Sequence, residues 1–166
     1  MIELLKNFKI RTVGIEDQSF LREMLYECIF IPSGEIPPPK EIIRKPELAK
    51  YVENWNKPDD FGFIIFEILT EKPVGAIWIR NFTEDNKGYG FIEEGIPELS
   101  IAVLTEFRGM GIGSYLLENL ISKINGKYRT LSLSVNEANP ALKLYKRFGF
   151  KEVKRLGDSI TMKKDL

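Results

Sequence analysis

Three glycines lie within five residues of one another, between an alternating apolar run and an amphipathic run. The apolar run extends from Leu99 to Val103, and the amphipathic run begins at Ile112 and ends near Gly126. Inside a helix, each glycine would cost about 1 kcal/mol relative to alanine. Close approach of the backbone to a ligand explains that cost better than a turn alone. The residues of the segment are Arg108, Gly109, Met110, Gly111, Ile112, Gly113 and Ser114.

A strand that leads through a glycine-rich turn into a helix is typical of a phosphate site. Backbone N–H groups can point inward together where side chains are absent, and the helix N-terminus adds about half a positive charge. The pattern therefore predicts that residues 108–114 bind a pyrophosphate. Two roles are open for Arg108, which either shapes the turn or pairs with a phosphate.

Two familiar nucleotide-binding motifs do not match this segment. The dinucleotide fingerprint G-x-G-x-x-G/A, started at Gly109, places Ser114 at its last position. Glu137 follows Gly113 by about 24 residues, roughly where a ribose-binding acid belongs, but too few residues come after it to complete a doubly wound sheet. A compact dinucleotide-binding protein remains an alternative. A P-loop is excluded because Gly-Lys-Ser/Thr does not occur in the chain.

A third pattern matches in two places. The segment from Pro97 to Ser114, with its Arg-x-x-Gly-x-Gly core, resembles the acetyl-CoA-binding motif of the Gcn5-related N-acetyltransferase (GNAT) superfamily. The segment from Asn139 to Phe150 resembles the second CoA-contacting segment of that superfamily, N-P-A-x-x-L-Y-x-x-x-G-F. The resemblance implies an α+β fold, with a mixed central β-sheet of about seven strands and helices on both faces. It also implies an N-acetyltransferase in which a primary amine attacks the thioester of acetyl-CoA directly.

The resemblance implies roles for the motif strand and for the second segment. Backbone groups of Ile101, Ala102 and Val103 would pair with the pantetheine arm, and one of their N–H groups would polarise the thioester carbonyl. Asn139 would contact CoA, and its position before a proline also predicts that it caps a short helix. The Tyr145 ring is expected to pack against the core.

Two side chains are candidates for proton transfer. The Tyr145 hydroxyl would reach the thioester sulfur, since a phenol of pKa about 10 can donate a proton to a thiolate whose parent pKa is about 8.5. Glu98, at the start of the motif strand, is the candidate base, because relatives often hold a glutamate near here that acts through a water. The alternative for Glu98 is a solvated charge at a strand end. A non-catalytic acyl-CoA-binding regulatory module, in which Tyr145 is dispensable, is the alternative function.

Composition excludes several other classes of protein. The chain has 24 Lys plus Arg and 24 Asp plus Glu, which gives no footprint for non-specific nucleic-acid binding. It has no apolar run of about 20 residues for a membrane and no signal-peptide pattern, so a cytoplasmic protein is expected. With one cysteine and no histidine, no Cys/His metal cluster, internal disulfide or Ser-His pair can form. Cys28 is predicted to be a buried core residue.

The length of 166 residues predicts a single domain over 1–166. Apolar and breaker patterns predict, in order, a strand, two helices, three strands, a helix, a strand, a helix and two strands. The first helix is predicted from Asp17 to about Phe30, and the second from Pro46 to about Trp55. Between them, the prolines of residues 31–39 predict a stiff surface loop. Exposed sheet edges would permit a homodimer.

The acceptor is predicted to be an amine, of either a small molecule or a protein or peptide. The segment before the motif strand carries an acidic group of residues that would attract a cation. A charged surface loop is the alternative. Three aromatic residues are candidate walls of an acceptor pocket, or core residues. The acidic residues are Glu84, Asp85, Glu93, Glu94 and Glu98, and the aromatic ones are Trp78, Tyr89 and Phe91.

Overall fold

The computed structural model describes residues 2–166 and contains one seven-stranded sheet in the order β1-β2-β3-β4-β5-β7-β6. The predicted succession of strands and helices along the chain is confirmed, except that a short helix precedes the first strand. The strands are β1 (Phe8–Thr12), β2 (Phe61–Glu67), β3 (Pro73–Arg80), β4 (Glu98–Val103), β5 (Thr130–Asn136), β6 (Lys151–Leu156) and β7 (Ser159–Asp165). The helices are α1 (Ile2–Leu5), α2 (Gln18–Glu27), α3 (Pro46–Ala49), α4 (Ile112–Ile124) and α5 (Ala141–Arg147).

Strands β4 and β5 are the parallel pair of an otherwise antiparallel sheet, and they separate almost at once. Their register consists of Glu98 opposite Ser132, supported by a 3.0 Å hydrogen bond from Ser132 N–H to the Pro97 carbonyl. A doubly wound dinucleotide fold needs successive parallel strands, so the dinucleotide alternative is wrong. Glu137 is instead paired with Arg155 at the surface.

Helices cover both faces of the sheet, as predicted. The face covered by α4 and α5, called the α4 side, carries Leu99, Leu131 and Leu133. The face covered by α2 and α3, called the α2 side, carries Ala76, Trp78 and Ala102. Because side chains alternate along a strand, Glu98 and Ser132 also lie on the α2 side. In residues 2–166 no helix is long and apolar enough to cross a membrane.

Two helix boundaries differ from the prediction. Helix α2 ends at Glu27, and the Asp17 carboxylate accepts from Gly14 N–H and pairs with Arg11 instead of capping α2. Helix α3 ends at Ala49, and the chain then continues through turns over residues 50–54 instead of a helix. The apolar residues beyond Ala49 are still buried, so the predicted face forms without a continuous helix.

Candidate active site

The glycine-rich segment forms an open turn at the N-terminus of α4. Gly109 and Gly111 have φ of +78° and +84°, a backbone region that favours glycine. The first helical hydrogen bond runs from Tyr115 N–H to the Gly111 carbonyl, and no side chain of the described residues 2–166 caps the N–H groups before it. A Cβ at Gly109 would meet no atom within 4 Å, so the turn faces open space. These features fit the pyrophosphate of acetyl-CoA.

Side chains around the turn have structural partners. Gly113 lets α4 approach α5, since a Cβ there would lie 3.3 Å from the Leu144 side chain. Arg108 donates to the Val103 carbonyl at 2.9 Å and to Glu27 at 3.0 Å, so of its two predicted roles the structure shows the one that shapes the turn. Met110 and Ile112 pack on the α4 side and offer the turn only their backbone.

Arg147 is a residue of this region that sequence reasoning missed. Its guanidinium donates to the Ser114 hydroxyl at 2.8 Å and so lies beside the first turn of α4. The second motif does not specify the residue at this position, and the pairing depends on how α5 packs on α4. A guanidinium next to an open helix N-terminus adds positive charge where an anion would bind.

The separation of β4 and β5 leaves a wedge between them. Ile101, Ala102 and Val103 pair with β3 on one side, but within residues 2–166 their other edge has no partner strand after Glu98. An unpaired strand edge is a template for an extended chain that carries its own donors and acceptors. Pantetheine is such a chain, so the wedge fits the arm that the resemblance assigns to it.

Tyr145 lies on α5 with its ring packed edge to face against Phe150, at 5.9 Å between centroids. This packing confirms the prediction for the ring. Burial raises the pKa of the Tyr145 phenol, so it remains a proton donor at neutral pH. Asn139 accepts a 2.9 Å hydrogen bond from Ala141 N–H, which satisfies the start of α5 in the way predicted.

Glu98 is only 3% exposed, so the alternative of a solvated charge at a strand end is wrong. Its Oε1 accepts hydrogen bonds from the Tyr51 hydroxyl at 2.6 Å and from Gly90 N–H at 2.9 Å. Its Oε2 accepts none from residues 2–166. Loss of hydration raises the pKa of the carboxyl, and the two hydrogen bonds oppose that shift.

The loop before β4 covers Glu98 through two glycines that sequence reasoning missed. A Cβ at Gly88 would overlap Oε2 of Glu98, and one at Gly90 would lie 2.6 Å from the Leu133 carbonyl carbon. Only glycine permits the backbone to approach that closely. The Gly-Tyr-Gly sequence of residues 88–90 indicates a close backbone approach, but the sequence does not show which strand this backbone approaches.

Cys28, predicted to be a buried core residue, is half-buried after the C-terminal end of α2, where it packs against the core of the α2 side. Its thiol donates to the Ile101 carbonyl at 3.4 Å, which brings α2 to the wedge. Loss of hydration raises the pKa of this thiol to about 12, so it stays protonated at neutral pH.

The acidic segment divides into exposed and structural residues. Glu93 and Glu94 are exposed, and Glu94 accepts from Glu84 N–H at 3.0 Å. Trp78 and Phe91 are buried on the α2 side, so they are core residues and not pocket walls. Tyr89 is 59% exposed and stacks on Tyr51, with 6.4 Å between ring centroids. Among residues 2–166, no group of three or more Asp, Glu or Cys side chains is placed to hold a metal ion.

A mixed sheet that opens between two parallel strands, with the open glycine-rich turn of residues 109–114 beside the opening, fits a transferase that uses an acyl-CoA. The family model of the acetyltransferase (GNAT) family matches residues 23–150. The chain belongs to the GNAT acetyltransferase family. It is an acetyl-CoA-dependent N-acetyltransferase.

Individual relatives agree with this assignment. The chain is 44% identical over 117 residues to an N-alpha-acetyltransferase of Sulfolobus acidocaldarius, covering 60% of this chain and 70% of that protein. It is 44% identical over 55 residues to the [ribosomal protein bS18]-alanine N-acetyltransferase of Haemophilus influenzae, covering 32% of this chain and 38% of that one. The fold is similar to paia N-acetyltransferase from Thermoplasma acidophilum in complex with coenzyme A, with TM-score 0.67, 20% identity and coverage of 96% and 99%.

Proposed function

We propose that the acceptor is the α-amine at the N-terminus of a protein or peptide. The observation that carries this proposal is the 44% identity to a protein named N-alpha-acetyltransferase across 70% of that protein's length. The chemistry supports the same choice. An α-amine has a pKa of about 7.7–8.0, so deprotonating it at pH 7 costs about 1 kcal/mol, against about 4.6 kcal/mol for a lysine amine.

The proposed site divides its work between backbone and side chains. Acetyl-CoA supplies an acetyl group activated as a thioester. The N–H groups of residues 109–114 bind the pyrophosphate, and the free edge of β4 holds the arm and polarises the carbonyl. Glu98, which is buried, accepts the proton of the amine through water, and Tyr145 provides the proton for the thiolate.

A panel of acceptors tests the choice of amine. Thiol release is measured with peptides of free N-terminus, with the same peptides blocked at the N-terminus but carrying an internal lysine, with a polyamine and with an amino sugar. We expect turnover of the free N-termini only. Equal turnover of the blocked lysine peptides would contradict the proposal while leaving the family assignment intact.

Replacing Tyr145 by phenylalanine is expected to lower kcat about tenfold and to leave the KM for the amine unchanged, because the hydroxyl acts only on the departing thiolate. The effect is at the low end for an acid, since a thiolate of parent pKa about 8.5 is a fair leaving group. Steady-state kinetics by thiol release measures both constants. Tyr128→Phe, which removes a half-exposed hydroxyl near Asp59, is the matched control. Unchanged kcat in Tyr145→Phe would remove the acid role.

Reversing the charge of Glu93 and Glu94 to lysine is expected to raise the KM for a cationic peptide about threefold, with kcat unchanged. These exposed carboxylates attract the ammonium group through solvent, so the effect is small and should disappear in high salt. The exposed glutamates Glu3 and Glu118, reversed in the same way, are the controls. Equal KM values for both pairs would make the segment an ordinary charged surface.

A further inference from the structure

A chain of hydrogen bonds reaches Glu98 from two distant segments. Tyr89 N–H donates to the Tyr51 hydroxyl at 2.7 Å, and that hydroxyl donates to Oε1 of Glu98 at 2.6 Å. Gly90 N–H donates to the same Oε1 at 2.9 Å. One carboxylate oxygen is therefore fully engaged, while Oε2 is left without a protein donor in residues 2–166.

The Tyr51 side chain is fixed in this position. It is 7% exposed, and its ring packs edge to face against Phe82 at 4.9 Å between centroids. Its backbone carbonyl accepts from the Trp78 indole at 3.0 Å, which ties the residue to β3. Burial and the nearby carboxylate raise the pKa of the Tyr51 phenol, so the hydroxyl always acts toward Glu98 as a donor.

The charged groups around Glu98 leave Tyr51 as its main side-chain support. Arg80, opposite Glu98 on β3, directs its guanidinium to Asp60 at 2.7 Å. Lys50 donates to the Lys87 carbonyl and favours the ionised form of Glu98 only through its field. From β6, the Lys154 ammonium donates to the Phe91 carbonyl at 3.0 Å. Tyr89 contacts Tyr51 through its backbone N–H and its stacked ring, and so acts on Glu98 only through Tyr51.

We propose that Tyr51 is a positioning residue that holds Oε1 of Glu98 through its hydrogen bond, favours the charged form of this buried carboxylate, and leaves Oε2 as the oxygen that takes the proton through water. The inference rests on the proposed role of Glu98 as the base. It assigns a function to a residue outside both sequence motifs, 47 positions from Glu98 in the chain. The Gly88–Gly90 backbone completes the arrangement by closing over the carboxylate.

The first test is the pH dependence of kcat/KM for Tyr51→Phe, Glu98→Gln and the double variant, with Tyr128→Phe as control. Tyr51→Phe keeps the ring packing and removes one hydrogen bond to an ionised group, so the acidic limb should move about one pH unit upward. In the Glu98→Gln background, Tyr51→Phe should have no further effect. A uniform loss at every pH, or a further loss in the double variant, would show a merely structural role.

The second test measures the ionisation of Glu98 without turnover. Carboxyl ¹³C NMR titration of the full chain, with the Glu98 signal assigned from its loss in Glu98→Gln, should give a pKa about one unit higher in Tyr51→Phe than in the wild type. An unchanged pKa would overturn the inference whatever the activity. Wild-type activity of Glu98→Gln would instead overturn the proposed base, and the NMR titration would still decide what Tyr51 does to Glu98.

Discussion

Replacing Glu98 by glutamine is expected to lower kcat/KM for an α-amine peptide about 100-fold at pH 7, the lower range for loss of a general base. The amide keeps an oxygen that can accept from Tyr51 and Gly90, so the local packing should persist. It cannot take a proton. The loss should therefore appear in kcat/KM, while the affinity for acetyl-CoA measured by calorimetry stays the same.

The loss of activity in Glu98→Gln should depend on pH in a specific direction. The wild-type rate should rise with pH as Glu98 ionises, and because burial raises its pKa this rise occurs at a higher pH than for an exposed glutamate. Glu98→Gln should lack that step, and its remaining pH dependence should follow the α-amine alone, which loses its proton at a pKa of about 7.7–8.0. A pH profile identical to that of the wild type would exclude Glu98 as the base.

Stability separates the chemical role of Glu98 from damage to the fold. A carboxyl with a raised pKa in the folded state binds its proton more tightly there than in the unfolded chain, so its ionisation costs folding free energy as the pH rises. The neutral amide removes this cost, and the Tm of Glu98→Gln at pH 7 should not fall. Glu118→Gln, at an exposed position of α4, is the control for both rate and Tm.

Replacing Gly111 by aspartate is expected to raise the Kd for acetyl-CoA more than about 100-fold. The substitution puts a carboxylate at the N-terminal end of α4, where the pyrophosphate would bind, and like charges in a shared site repel strongly. It also places a side chain at a φ of +84°. Calorimetric titration with acetyl-CoA measures the loss.

The same helix supplies a matched control for that variant. Gly126 follows the C-terminal end of α4 with φ of +88°, and a Cβ there would meet no atom within 4 Å. Gly126→Asp therefore carries a comparable backbone strain and the same added charge, but at the opposite end of α4 from the glycine-rich turn. We expect it to bind acetyl-CoA as the wild type does. Equal affinities for both variants would show that the turn at Gly111 does not hold the cosubstrate.

The local structure of the proposed cosubstrate side was predictable because its signals are local. The turn at Gly111 and the cap at Asn139 each depend on residues a few positions apart, so the sequence pattern and the structure agree there. The succession of strands and helices along the chain followed from alternation and breakers for the same reason. Arg147 shows the limit, since its contact with Ser114 depends on the packing of two helices.

The acceptor side was not predictable in the same way. The burial of Glu98 depends on Tyr51, 47 residues earlier, and on a loop that folds back over β4. No periodicity connects these segments. Trp78 was ambiguous because an aromatic residue beside a strand has the same pattern in a core as at a pocket wall. The second helix was predicted too long because its apolar spacing continues past Ala49 through turns, and the spacing alone does not distinguish such turns from helix.

The wedge between β4 and β5 also has a consequence for the durability of the fold. The sheet consists of a four-stranded and a three-stranded half, which share a single registered residue pair. A ligand that fills the wedge contacts both halves of the sheet and links them. It adds RT ln(1 + [L]/Kd) to the free energy of unfolding. Resistance of the protein to heat and proteases should therefore follow the supply of acetyl-CoA, as well as the strength of its own core.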